Sequence, residues 1–149
     1  MVECIHIVIP IIPTAQARPR FANRGGFIKA YKAKDQEANE RTLETFLMEH
    51  QPDEPLNGPL WLGVRAYLPM PSSKSKKWRE SAKYGEIRPV VKPDLDNLIK
   101  NLKDCMTRMR YWVDDKQIVG YLEGTGKYYD DGAGTRWVVE IRQTGVSNG

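Results

Sequence analysis

Apolar and polar positions alternate most clearly over residues 60–68 (LWLGVRAYL). Leu60, Leu62, Val64, Ala66 and Leu68 share one face, and Trp61, Arg65 and Tyr67 share the other, which is the period of a half-buried strand. Residues 2–9 (VECIHIVI) repeat the pattern, with Ile5, Ile7 and Ile9 on one face, His6 on the other, and Pro10 and Pro13 as stops. Residues 117–124 and 135–142 predict two more strands, in the second of which Trp137, Val139 and Ile141 alternate with Arg136, Val138 and Glu140. Asp130, Asp131, Gly132 and Gly134 between them are turn residues and predict a hairpin.

A helical period appears twice. Asp35 is placed to cap a helix of about 15 residues whose apolar stripe is Ala38, Leu43, Phe46 and Leu47, ended by Pro52, Pro55 and Gly58. A second helix, from about Leu95 to Met109, carries Leu95, Leu98, Ile99, Leu102 and Met106 on its apolar side. The segment from Arg18 to Lys34, with Pro19 and Gly25–Gly26, reads as a loop. Residues 69–92 are polar and basic, a long connection of the kind usually kept for function, with a short helix around Ser75–Lys83. There is no internal repeat and no linker. The expectation is one α/β domain over residues 1–149, a mixed sheet of about four strands covered by two main helices.

The composition, with 40% hydrophobic and 28% charged residues, is that of an ordinary soluble domain. No apolar run approaches the roughly 20 residues of a membrane span. Glu3 and His6 interrupt the apolar start of the chain, which lacks a basic leader and a small-residue cleavage site, so no signal peptide is expected. Cys4 and Cys105 fit no metal-ligand spacing and read as reduced, buried thiols of a cytoplasmic protein. His6 reads as structural.

Net charge is only +4, but its distribution is uneven. Residues 15–34 contain Arg18, Arg20, Arg24, Lys29, Lys32 and Lys34 and no acid. Residues 69–92 contain Lys74, Lys76, Lys77, Arg79, Lys83, Arg88 and Lys92 against Glu80 and Glu86. Two basic segments on an otherwise acidic chain suggest a surface for a polyanion.

The chemistry concentrates in Lys92-Pro93-Asp94-Leu95-Asp96-Asn97-Leu98-Ile99-Lys100. Within a helix, residues two apart point about 200° apart, whereas in an extended segment they point the same way. Pro93 favours extended backbone before it and Asp96 is a good N-cap, so the pair is expected at a loop-to-helix junction where both carboxylates converge. Lys100 would follow one turn beyond Asp96 on the same face. Converging carboxylates repel unless a cation lies between them, and Mg²⁺ takes one or two carboxylates, waters and phosphate oxygens. Simple capping explains the same two acids equally well. A second acidic pair, in Tyr111-Trp112-Val113-Asp114-Asp115-Lys116-Gln117, follows the helix. It reaches the first only if the chain folds back along the helix, and spacing alone does not choose between Asp114 and Asp115.

Asp94, Leu95, Asp96, Asn97, Leu98 and Lys100, followed by Trp112, Asp114, Asp115, Gln117 and Ile118, form a pattern that resembles the RusA family of Holliday junction resolvases, common on prophages. Pro13, Arg18, Pro19 and Arg20 resemble that family's exit from its first strand, although the resemblance is sharp only from Lys92 to Val119. It implies a metal-dependent endonuclease, with Mg²⁺ (or Mn²⁺) held by Asp94, Asp96 and Asp115, with Lys100 needed for catalysis, and with Asp114 as the turn residue. It also implies a fold that brings the post-helix acid into the cleft.

The expected substrate is a four-way junction, nicked symmetrically by a C₂ homodimer that supplies two sites. Arg18, Arg20, Arg24, Lys74, Lys76, Lys77, Arg79 and Lys92 are the expected DNA contacts. The 69–92 segment is longer than in compact members and is read as a DNA-contacting loop. Phe21, Trp78 and Tyr111 are candidate wedges at the crossover, each also suited to core packing. The rival readings are a less specific nuclease acting on flaps or single strands, a branched-DNA-binding protein without catalysis, and an interaction domain whose basic loops bind an acidic protein.

Overall fold

The structure, a computed structural model, describes residues 3–15, 20–24, 27–31 and 34–143, with side chains over 4–15 and 38–143. In chain order its elements are β1 (Glu3–Ile9), β2 (Arg20–Arg24), β3 (Phe27–Tyr31), α1 (Lys34–Glu49), β4 (Leu60–Leu68), α2 (Lys76–Lys83), α3 (Leu95–Arg108), a 3₁₀ turn (Asp115–Gln117), β5 (Ile118–Tyr121), β6 (Gly126–Tyr129) and β7 (Arg136–Gln143).

Strand β4 is central because its alternation makes one face wholly apolar. Leu60, Leu62, Val64 and Ala66 are fully buried on that face, and the neighbouring Ile7, Ile9, Trp137, Val139 and Ile141 extend the apolar sheet surface. The strand order is β1-β7-β4-β5, with β6 also paired to β4. The β1–β7 and β7–β4 pairs are antiparallel. Both β5 and β6 run parallel to β4. Helix α1 covers the apolar face through Leu43 and Leu47, and α3 through Leu98, Leu102, Cys105 and Met106, all fully buried. Each such side chain stabilises the fold by about 1.5–3 kcal/mol relative to leaving it in water.

Several expectations are corrected. The sheet has five strands rather than about four, while the short helix expected around Ser75–Lys83 is present as α2. Residues 126–129 form an unanticipated strand, and no hairpin joins the last two strands. Instead β6 and β7 flank β4 on opposite sides, so the turn residues carry the chain across the end of β4. The region read as a loop from Arg18 to Lys34 contains a two-stranded antiparallel ribbon, β2–β3, paired from Arg20↔Tyr31 to Arg24↔Phe27. A Gly-Gly pair between two short runs is hairpin sequence. Asp35 lies inside α1 rather than capping it, and Ala38 is exposed. Cys4 is exposed, with its thiol donating to Glu140 (3.2 Å), whereas Cys105 is buried as expected. Burial raises the Cys105 thiol to about 11, so it stays protonated at neutral pH.

Candidate functional site

The acidic pair lies at the N-terminus of α3, but the cap is Asp94 and not Asp96. Asp94 has extended backbone (φ −69°, ψ 134°), and its Oδ1 accepts the Asp96 amide at 3.2 Å. Asp96 is already helical, in the first turn. The two acids therefore straddle the junction, and both are exposed. A helix N-terminus favours negative charge, both of these carboxylates and of an approaching phosphate. The donors available are carboxylate oxygens alone, which suits a hard divalent cation that keeps waters and takes phosphate oxygens as further ligands.

The second acidic pair is held by its neighbours in the motif. Trp112 is fully buried, and its indole Nε1 donates to Thr107 Oγ1 on α3 at 2.7 Å. Gln117 Oε1 accepts the amides of Val113 (2.9 Å) and Asp114 (3.2 Å). Its Nε2 donates to the carbonyls of Leu56 (2.9 Å) and Gly58 (3.1 Å). Asp114 forms a capping box with Gln117 and also accepts the Lys116 amide at 2.9 Å, and the Lys116 bond holds its carboxyl below the usual carboxylate range. Asp114 is thus committed to the turn, while Asp115, in the next position, is exposed.

Asp94 and Asp96 share the N-terminal junction of α3, whereas Asp115 lies beside the second half of that helix. Asp115 and Asp114 line an open cleft of about 280 Å³ with Asp104, Thr107 and Arg108. Asp104 is eight residues beyond Asp96, or about 12 Å along the helix. Among the described residues no three carboxylate, histidine or cysteine side chains converge to hold an ion. Lys100 lies between the two acidic positions, 64% exposed, and its ammonium is 3.9 Å from Asp104. Asp96, Lys100 and Asp104 thus form one polar stripe along α3, spaced a turn apart.

The basic candidates fall into two groups. Arg18 lies outside the described residues, and Arg20 and Arg24 are described only as backbone of β2. The segment 69–92 is largely ordered by α2, which Ser75 caps by accepting the Trp78 amide at 3.2 Å. Ala82 is buried, and Trp78 packs against Tyr129 with ring centroids 5.4 Å apart. Lys74, Lys76, Lys77, Arg79 and Lys92 remain exposed. Tyr111 is buried, its hydroxyl donating to the Leu47 carbonyl, so it is a core residue and no wedge. Phe21 lies outside the described side chains.

Two residues that sequence reasoning passed over support this region. Asn101, 1% exposed on α3, donates to the Thr14 carbonyl at 2.9 Å, fixing the chain just before the first basic segment. A buried Asn in an otherwise apolar helix stripe is a signal that sequence carries. Lys127 on β6 donates to the carbonyls of Val91 (2.7 Å) and Pro93 (2.9 Å). Nothing in its sequence neighbourhood marks it.

A family model described as Endodeoxyribonuclease RusA matches residues 10–142. The uncharacterised protein YqaN of Bacillus subtilis (strain 168) is 34% identical over 131 residues, covering 87% of this chain and 90% of that protein. The crossover junction endodeoxyribonuclease rusA of Lactococcus phage r1t is 34% identical over 111 residues, covering 72% of this chain and 76% of the phage protein.

Proposed function

The chain belongs to the RusA endodeoxyribonuclease family, and from that premise we infer that it resolves Holliday junctions by hydrolysing phosphodiesters at Asp94, Asp96, Asp115 and Lys100. Members of this family depend on a divalent metal, and the ion proposed here is Mg²⁺, with Mn²⁺ as a substitute. The observation that carries the reading is the exposed Asp94–Asp96 pair at the N-terminus of α3, inside the region matched by the family.

Asp94 and Asp96 would hold the cation, and the DNA phosphate would complete its shell. When bound, such an ion activates a water and neutralises charge on the scissile phosphate. Lys100, one turn along, supplies a positive charge for the oxyanion that develops at phosphorus. Asp115 is assigned to the same reaction from the motif, and the commitment of Asp114 to its capping box supports that choice. The exposed lysines of α2 would carry the arms of the junction, mainly by binding phosphates. Paired nicks in a symmetric junction require two such sites, which a C₂ homodimer supplies. No helix among the described residues is long and apolar enough to cross a membrane, and a DNA-acting nuclease belongs in the cytoplasm.

The test is cleavage of a synthetic four-way junction with Mg²⁺, beside flap, single-stranded and duplex controls. Paired symmetric nicks confined to the junction, with cutting abolished but binding kept in Asp94→Asn, are expected. Equal cutting of every substrate would replace the resolvase reading by a less specific nuclease. Junction binding without product at any metal concentration would leave a DNA-binding protein. Light scattering on the eluting protein is expected to give twice the chain mass.

A further inference from the structure

Residues 84–94 join α2 to the catalytic end of α3, and beyond the buried Pro89 the next two side chains face solvent. Val90 is 94% exposed and Val91 61% exposed. The strap is instead fastened to β6 by two cations. The Arg88 guanidinium stacks on the Tyr128 ring at 3.6 Å, and its Nε donates to the Lys127 carbonyl at 2.6 Å. The Lys127 ammonium in turn donates to the Val91 and Pro93 carbonyls. Tyr128 is itself fixed by stacking on Tyr67 of the central strand (5.2 Å between centroids), and Lys127 pairs in register with Ala66.

The Pro93 carbonyl belongs to the same planar peptide as the Asp94 nitrogen, so holding that oxygen sets the plane from which Asp94 projects. We propose that Lys127 is a positioning residue for nuclease activity, which orients Asp94 by holding the Pro93 and Val91 carbonyls, with Arg88 as its second clamp. The proposal rests on the assignment of Asp94 to catalysis. An ammonium provides three directed donors and no acceptor, so it can hold two carbonyls at once. Methionine at this position would keep much of the apolar stem but neither bond. Gly126 belongs to the same device. A Cβ there would lie 2.6 Å from an Arg88 guanidinium nitrogen, so a side chain pushes that flexible end away at little cost to the fold.

The decisive comparison uses the native chain, Lys127→Met, Lys127→Arg, Gly126→Ala and Asp94→Asn. Amide hydrogen exchange is first followed without metal. Exchange over residues 84–96 should rise about tenfold or more in Lys127→Met, and less in Gly126→Ala. The C-terminal half of α3 should be unchanged in both. Single-turnover junction cleavage should fall about 10–100-fold in Lys127→Met, the usual effect of losing a support behind a metal ligand. Its half-saturating Mg²⁺ concentration should rise while metal-free junction binding holds, and Lys127→Arg should recover most of the rate. Unchanged strap exchange in both Lys127→Met and Gly126→Ala would overturn the proposal. So would native cleavage by Lys127→Met when Asp94→Asn is inactive, although the site assignment would then stand. Native cleavage by Asp94→Asn would remove the site assignment itself, and the positioning role with it.

Discussion

The indole of Trp112 donates to the hydroxyl of Thr107 at 2.7 Å, tying the chain that leads to Asp115 back onto α3. The Thr107 hydroxyl in turn donates a hydrogen bond to the Lys103 carbonyl at 2.8 Å, so one hydroxyl satisfies a buried donor and anchors itself to the helix. Thr107→Val keeps the shape and strands the indole N–H. A buried donor left without a partner costs about 1–3 kcal/mol. Urea unfolding of Thr107→Val should show that loss with an unchanged m-value, and a stability equal to the native chain would mean that the bond contributes nothing.

The two acids of the Asp114–Asp115 pair should separate by property. Asp114→Ala removes the capping box and is expected to lower the melting temperature, with a few-fold loss of junction cutting. Asp115→Asn should leave the melting temperature close to native and abolish cutting. The reverse pattern would exchange their roles.

Gly120 on β5 lies beneath Trp61 of β4. A Cβ at Gly120 would come within 2.1 Å of the indole ring, which is rigid and cannot bend aside as a flexible chain end does. Gly120→Ala must therefore rotate the whole Trp61 side chain or shift β5 away from β4. Overpacking of this kind costs about 1–3 kcal/mol, and Trp61→Ala should relieve it in the double variant. Additive losses would show that the two positions do not collide.

Residues whose partners lie in a regular pattern are legible in the sequence, and those with irregular partners are not. β4 and β7 alternate because each has one face on the core, and α3 shows its stripe because it lies along that same core. β6 (GKYY) is four residues long, and it pairs in parallel with residues 61 positions earlier in the chain. Neither its length nor its neighbours announce such pairing. The cap of α3 is Asp94 where the sequence favours Asp96, because the two are the same residue type and only backbone geometry decides between them. The acids and lysine of the proposed site are visible as a motif. Lys127 is not, since its partners are main-chain carbonyls, which every residue carries.

Exposure of Lys76 and Lys77 on α2 implies that the DNA contact proposed for them is electrostatic. Each phosphate-neutralising cation that is removed should lower the slope of log affinity against log salt by about 0.9. Lys76→Gln/Lys77→Gln, measured on a metal-free junction, should bind more weakly and flatten that slope by about 1–2, for junctions of any sequence. An unchanged slope would remove α2 from the DNA-binding surface.

Acid stability should depend on Asp131. Arg136 grips its carboxylate with two bonds, 3.0 and 3.2 Å, while its guanidinium lies 3.9 Å from the centre of the Tyr67 ring. The Arg136 guanidinium holds the Asp131 carboxyl below its ordinary value. A carboxyl depressed in the folded state stabilises at pH values above its unfolded pKa of about 3.9, and the contribution is lost as pH falls through the folded value. The Asp131 side chain is 34% exposed, so solvent screening limits the effect to about 0.5–1 kcal/mol at neutral pH. Asp131→Asn should therefore be less stable than the native chain from pH 7 down to about pH 4. Below that the two urea midpoints should converge, because the protonated carboxyl no longer differs in charge from the amide. A gap that persists or widens towards pH 2.5 would show that the pair stabilises through packing on Tyr67 rather than through charge.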